Sequence, residues 1–276
     1  MRHARAIGIA ALAALAVGAA AFAQTVTPLP EAEPVQATPI GASAVADLAK
    51  AHWGDAKAGA TKAGACAACH GVDGNPSDPQ YPRLAGMPER YIATQLALYK
   101  SGERNTGMAA IMQPMAAPLS AQDMRDVGAY FAQQKAGAGI ADDTPIADGP
   151  YQGMKFYEVG QKLFLGGDPQ RGIPACMACH GPTGAGNPGP AYPHVAGQQS
   201  AYVARRLEEY RAGQTSLSDR HNWDIMASVA RQLSDQEIQS LASYLQGLHA
   251  RSEEAAADDV ARAAVQPAPA PAEPQG

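Results

Sequence analysis

The 276-residue sequence predicts an all-α protein made of two tandem modules of about 100 residues each. Three observations predict it. The chain repeats itself: Cys66-Ala67-Ala68-Cys69-His70 returns as Cys176-Met177-Ala178-Cys179-His180, and Tyr81-Pro82-Arg83-Leu84-Ala85-Gly86 as Tyr192-Pro193-His194-Val195-Ala196-Gly197. Each copy closes on a helix start, Ser120-x-x-Asp123 and Ser234-x-x-Glu237, where a serine oxygen can satisfy an orphan backbone N–H. No runs of β-branched residues flank the cysteines, so a βαβ setting is not indicated.

The chain begins with a short basic region, Met1-Arg2-His3-Ala4-Arg5, followed by an apolar run to Ala23. Ala21-Phe22-Ala23 has the small-x-small form of a cleavage site. Residues 1–23 therefore read as a secretory signal peptide, with an uncleaved membrane anchor as the competing reading. Residues 24–51 form a Pro-rich leader ahead of the first module, and its part 24–40, with Pro28, Pro30, Pro34 and Pro39, reads as extended. The first module spans 52–136. Gly137, Gly139, Pro145, Gly149 and Pro150 mark 137–153 as a linker to the second module, 154–250. Residues 251–276 form an Ala/Pro-rich tail expected to be disordered.

The paired motifs carry the chemistry. C-x-x-C-H is the attachment pattern of a c-type haem: two thiols at that spacing each form a thioether to one porphyrin edge, and the adjacent histidine meets the iron. Both matches together use all 4 cysteines of the chain. Cys66, Cys69, Cys176 and Cys179 are thus the candidate attachment residues, and His70 and His180 the candidate proximal ligands. A thioredoxin-like pair, a four-cysteine zinc site and two local disulfides compete, but none explains a histidine directly after each pair. Covalent haem also fits export, and the expected address is the bacterial periplasm.

Within each module the helices follow from periodicity. Ile92, Leu96 and Tyr99 share one face, as do Val203, Leu207 and Tyr210. After the capping serines, Met124, Val127, Gly128 and Phe131 form one stripe, and Ile238, Leu241, Ala242, Leu245 and Leu248 the other. These are core stripes, and the core they cover is partly haem, which lets so small a module fold. The Gly/Pro-rich loops after each histidine suit the edge of a flat macrocycle. The carbonyls of Pro82 and Pro193 can accept from the histidine Nδ1–H, or the prolines only shape the loop.

The distal ligands are sought among methionines. In the first module Met115, in a loop ahead of the last helix, is preferred over its main competitor Met112; Met108 and Met87 are further candidates. In the second, Met226 is preferred over His221, which would make the iron bis-histidine.

The formal charge is −5, or −7 without Arg2 and Arg5. Each module is close to neutral, and the acidic surplus lies in the linkers and tail. No basic stripe exists to neutralise phosphates, which argues against nucleic-acid binding.

Together, the two C-x-x-C-H motifs, the Tyr-Pro-x-x-Ala-Gly segments, Met115 in Met-Ala-Ala-Pro-Leu-Ser, Met226 in Ile-Met-Ala-Ser-Val-Ala-Arg-Gln-Leu-Ser and the closing Ser243-Tyr244-Leu245-Gln246-Gly247-Leu248-His249 resemble the dihaem cytochrome c4 family over about residues 52–250. The resemblance implies two tandem class I cytochrome c domains related by a pseudo-two-fold axis. It also implies two covalently bound haem c groups with His/Met ligation and the haems close together at the domain interface. The implied function is an electron carrier, not an enzyme, taking single electrons from a quinol-oxidising complex to a terminal oxidase. A cytochrome subunit of a periplasmic dehydrogenase is the alternative, and a dihaem peroxidase-type enzyme is disfavoured because a six-coordinate iron has no open position. The long leader and tail depart from the compact pattern and leave room for a tether to a membrane surface or a special partner.

Overall fold

The computed structural model describes residues 46–249. The expected signal peptide, most of the leader and the Ala/Pro-rich tail lie outside them. Among the described residues there are helices, short 3-10 turns and isolated bridges but no strand, and no helix is long and apolar enough to cross a membrane.

The two modules repeat helix for helix. The first contains α1 (Ala56–Ala63), α2 (Ala67–His70), α3 (Glu89–Ser101), α4 (Ala109–Ala116) and α5 (Ala121–Ala132). The second contains α6 (Phe156–Gly166), α7 (Met177–His180), α8 (Ser200–Ala212), α9 (His221–Ala230) and α10 (Asp235–Gly247). The starts of α5 and α10 are the expected capping boxes. Ser120 accepts from the Asp123 N–H and Ser234 from the Glu237 N–H, while each acid reaches back to the serine backbone.

These last helices are the spine of each module. Helix α5 packs on α1 and α3, and α10 packs on α6 and α8. The expected stripes face inward: Met124, Val127 and Phe131 are buried in one core, and Ile238, Leu241, Ala242 and Leu245 in the other. Two glycines set the crossing of first and last helix. A Cβ on Gly59 would sit 1.9 Å from the Asp126 carbonyl oxygen, and one on Gly160 would sit 2.0 Å from that of Ser240. Only a bare Cα allows backbones so close.

Charged groups tie these spines to neighbouring segments. Lys62 on α1 bridges Asp123 and Asp126 of α5 at 2.5 and 2.6 Å. In the second module Glu237, 1% exposed, accepts from the Tyr151 hydroxyl at 2.5 Å and pairs with Arg171. Buried charge is tolerated here because every such carboxylate is hydrogen-bonded as well as paired.

Three expectations need correction. The end of the segment assigned to the leader belongs to the first module: Ala46–Lys50 is a 3-10 turn that buries Leu48 in the first core, and Arg125 donates to the Leu48 carbonyl. The linker is not merely a connection, because Ile146 is buried in the second core and Pro145 bridges Lys155. The supposed loop holding Met115 is helix α4, with Pro114 inside it. Proline loses one hydrogen bond near the end of that short helix without ending it.

Candidate functional site

Each C-x-x-C-H motif is one short helical turn ending on its histidine, followed by a glycine at positive φ, +77° at Gly71 and +79° at Gly181. That turn brings both thiols and the imidazole to one side. His70 is buried, with Nδ1 2.9 Å from the Pro82 carbonyl; His180 is buried, with Nδ1 3.0 Å from the Pro193 carbonyl. Of the two roles open to these prolines, the carbonyl contact is present in both modules. Nδ1 therefore carries the proton, and Nε2 is left to face a metal. Burial lowers both histidine pKa values, opposed in part by the proline carbonyls, so the rings are held neutral, the form that ligates. The tyrosine of each Tyr-Pro segment stands beside its histidine, with ring centroids 6.0 Å apart for Tyr81 and His70 and 6.3 Å for Tyr192 and His180.

Each histidine opens onto its own cavity. The first, about 1220 Å³ with its open mouth included, is bordered by Cys66, Cys69, His70, Met108, Met112 and Met115. The second, about 2280 Å³ on the same terms, is bordered by Cys176, Cys179, His180, His221 and Met226. The cysteine pairs thus line different cavities, which removes the four-cysteine zinc reading. No group of three or more His, Cys, Asp or Glu side chains placed to hold a metal ion occurs among the described residues. No two of the four cysteines are joined in a disulfide, which removes the disulfide reading. Burial pushes the thiol of Cys66 up and that of Cys176 to about 11, as expected for sulfurs set in an apolar wall.

The donor set fits a haem. In each cavity two thiols and an oriented imidazole lie at one side of an apolar slot, and methionines border it too. Buried donors without a protein partner also line the slots: Arg83 Nε and Nη1 at the first, Trp223 Nε1 at the second, and Arg104 Nε at both. Such atoms suit a group that carries carboxylates.

The methionines separate by burial. Met112 is half-buried and packs on the first core, whereas Met115 is 44% exposed. Met226 is half-buried and packs on the second core, while His221 is exposed at the first turn of α9. Met112 and Met226 also occupy equivalent places, each eight positions before the capping serine of its module. Met115 is instead equivalent to Val229. That spacing was present in the sequence and points to Met112, the competitor that the sequence reading ranked second.

The cavities adjoin. The first is walled in part by Tyr202, Arg205 and Glu209 of α8, and the second by Tyr91, Thr94 and Gln95 of α3. This exchange of equivalent helices is the reciprocity a pseudo-two-fold relation produces. Arg104 had no counterpart to flag it, since the repeat places Thr215 there.

Comparison with known proteins agrees with this architecture. The cytochrome c family model matches residues 56–135 and again 157–249. Cytochrome c4 of Stutzerimonas stutzeri is 42% identical over 190 residues, covering 67% of this chain and 84% of its own. The chain belongs to the cytochrome c4 family. The crystal structure of reduced recombinant cytochrome c4 from Pseudomonas stutzeri superposes with a TM-score of 0.60 at 40% identity, over 71% of this chain and all of the other. A further relative, the thiosulfate dehydrogenase electron acceptor of Thiomonas intermedia, is 37% identical over 66% of this chain and 77% of its own. As a cytochrome c4 family member the chain carries two covalently attached haem c groups on two tandem class I cytochrome c domains, and it is an electron carrier and not an enzyme.

Proposed function

We propose that this protein relays single electrons in the periplasm through two six-coordinate haems, one ligated by His70 and Met112 and the other by His180 and Met226. In this reading Cys66 with Cys69 and Cys176 with Cys179 form the thioethers. One observation carries the ligand set: in each module a half-buried methionine, eight residues before the capping serine, borders the cavity of the carbonyl-anchored histidine. Met112 replaces Met115 in this reading because Met112 packs on the first core and matches Met226 in position, whereas Met115 is the more exposed of the two. Bound haem supplies one-electron exchange at iron, and thioether ligation raises its potential. The protein orients the imidazoles and excludes water from the slots.

The expected partners are a quinol-oxidising complex as donor and a terminal oxidase as acceptor. A second donor is favoured by the relative named as a thiosulfate dehydrogenase electron acceptor. Rapid mixing separates the two. The oxidised protein is mixed with a quinol-oxidising complex plus quinol, or with thiosulfate dehydrogenase plus thiosulfate, and reduction is followed in the haem absorption. Fast reduction by the first and slow reduction by the second supports the respiratory reading; the reverse supports the thiosulfate reading. Steady turnover of hydrogen peroxide by the reduced protein alone would overturn the carrier assignment.

A further inference from the structure

The two cavities share a wall, and its charged residues are unequal. Arg206 of α8 has a carboxylate, Glu209, and also donates to the Tyr210 hydroxyl at 3.0 Å. Arg104, from the loop after α3, has none among the described residues. Its Nη1 donates to Gln95 Oε1 at 2.5 Å, its Nη2 lies 3.4 Å from the Tyr202 hydroxyl, and its guanidinium stacks 4.6 Å above the Tyr99 ring. Its Nε is buried without a partner. The neighbouring Arg206 adds a like charge. A guanidinium enclosed beside another cation and without a carboxylate is costly unless an anion completes it.

Three residues with buried, unpartnered donor atoms border the cavities, but they differ in reach. Arg83 borders the first cavity and Trp223 the second; Arg104 borders both. Haem brings two carboxylate arms, and arginine is the side chain whose fork suits carboxylates best. On the haem reading proposed above, we infer that Arg104 receives carboxylate arms from both haems in the shared wall and so raises and couples their potentials. A positive charge held there favours the reduced, more electron-rich iron on either side. Tyr202 and Gln95 are positioning residues that hold the guanidinium between the cavities.

The test uses the intact two-haem protein and its variant Arg104→Gln, with haem content measured by mass and both midpoint potentials by spectroelectrochemistry. The expected result is two haems retained and both potentials lowered. Arg104→Lys, which keeps the charge but not the fork, should fall between the variant and the parent at both haems. Arg231→Gln, which removes an exposed cation directly after α9 that borders neither cavity, should leave both unchanged. Two haems with unchanged potentials, or a fall confined to one haem, would overturn the inference and leave the haem reading intact. A parent protein with fewer than two haems would instead refute the haem reading. Should Arg104→Gln fail to fold, Arg104→Lys decides alone: lowered potentials at both haems support the inference, and unchanged ones refute it.

Discussion

The side-chain amide of Gln198 grips the backbone of Arg83 across the module boundary. Its Oε1 accepts from the Arg83 N–H at 2.7 Å, and its Nε2 donates to the Arg83 carbonyl at 3.0 Å. Arg83 directly follows Pro82, whose carbonyl anchors His70. The second module therefore braces the loop that orients His70.

Gln198→Ala should leave two buried backbone groups unpaired and destabilise the protein by about 1–3 kcal/mol. The disturbance should centre on the first haem. Thermal unfolding measures the loss, and paramagnetically shifted NMR signals of the two haems show whether the first module alone responds. Equal perturbation of both would show that Gln198 acts only as general interface packing.

Met112→Ala should abolish one sulfur–iron far-red band in the ferric spectrum and let the first haem bind carbon monoxide. Met115→Ala should leave band and coordination intact, since that side chain is the more exposed of the two and has no counterpart methionine in the second module. Met226→Ala should repeat the Met112 result at the second haem, whereas His221→Ala should not. A lost band in Met115→Ala would return the ligand to the residue that sequence alone preferred.

Gly59→Ala and Gly160→Ala should each force the first and last helices of one module apart. The added Cβ meets backbone oxygen at 1.9 and 2.0 Å, which no side-chain movement relieves. A cost of about 1–3 kcal/mol is expected at either site. Denaturant titration of each variant checks it, and exposed Gly153→Ala, where a Cβ meets nothing within 4 Å, is the positive-φ comparison.

The hydrogen bond from Lys62, aided by Ser120, holds the Asp123 carboxyl down at about 2. A depressed carboxylate contributes stability that is fully present above the ordinary value of 3.8 and is lost as pH falls through about 2. Asp123→Asn should therefore lower stability near neutrality by about 1 kcal/mol, through loss of the ion pair with Lys62 and a weaker return bond from the Ser120 N–H. It should also flatten the stability profile between pH 4 and about 2. Melting temperatures across that range for parent and variant decide it; parallel profiles would show that Asp123 is not the group titrating.

Much of the fold was legible because helix caps and core stripes are local. Ser120 and Asp123 lie within one turn, as do Ser234 and Glu237, and both pairs cap as their spacing predicts. The stripe from Met124 to Phe131 is buried for the same reason. Met115 was placed in a loop ahead of the capped last helix, while in the folded chain Met112, Pro114 and Met115 all lie within α4. Leu48 and Ile146 were assigned to a leader and a linker because a Pro/Gly-rich composition says nothing about a single apolar side chain that finds a core.

By itself the sequence determined the number of modules and the capped last helices, and it singled out Cys66, Cys69, Cys176 and Cys179 as candidate haem-attachment residues with His70 and His180 beside them. These depend on spacings of a few residues along one chain. Only the tertiary structure showed that Met112 packs on the first core, that Gln198 braces the Arg83 loop, and that Arg104 stands in a wall common to both cavities. Those relationships join residues from different helices or different modules. They are set by how closely the helices pack and by which buried polar groups find partners, and sequence separation along the chain does not encode either.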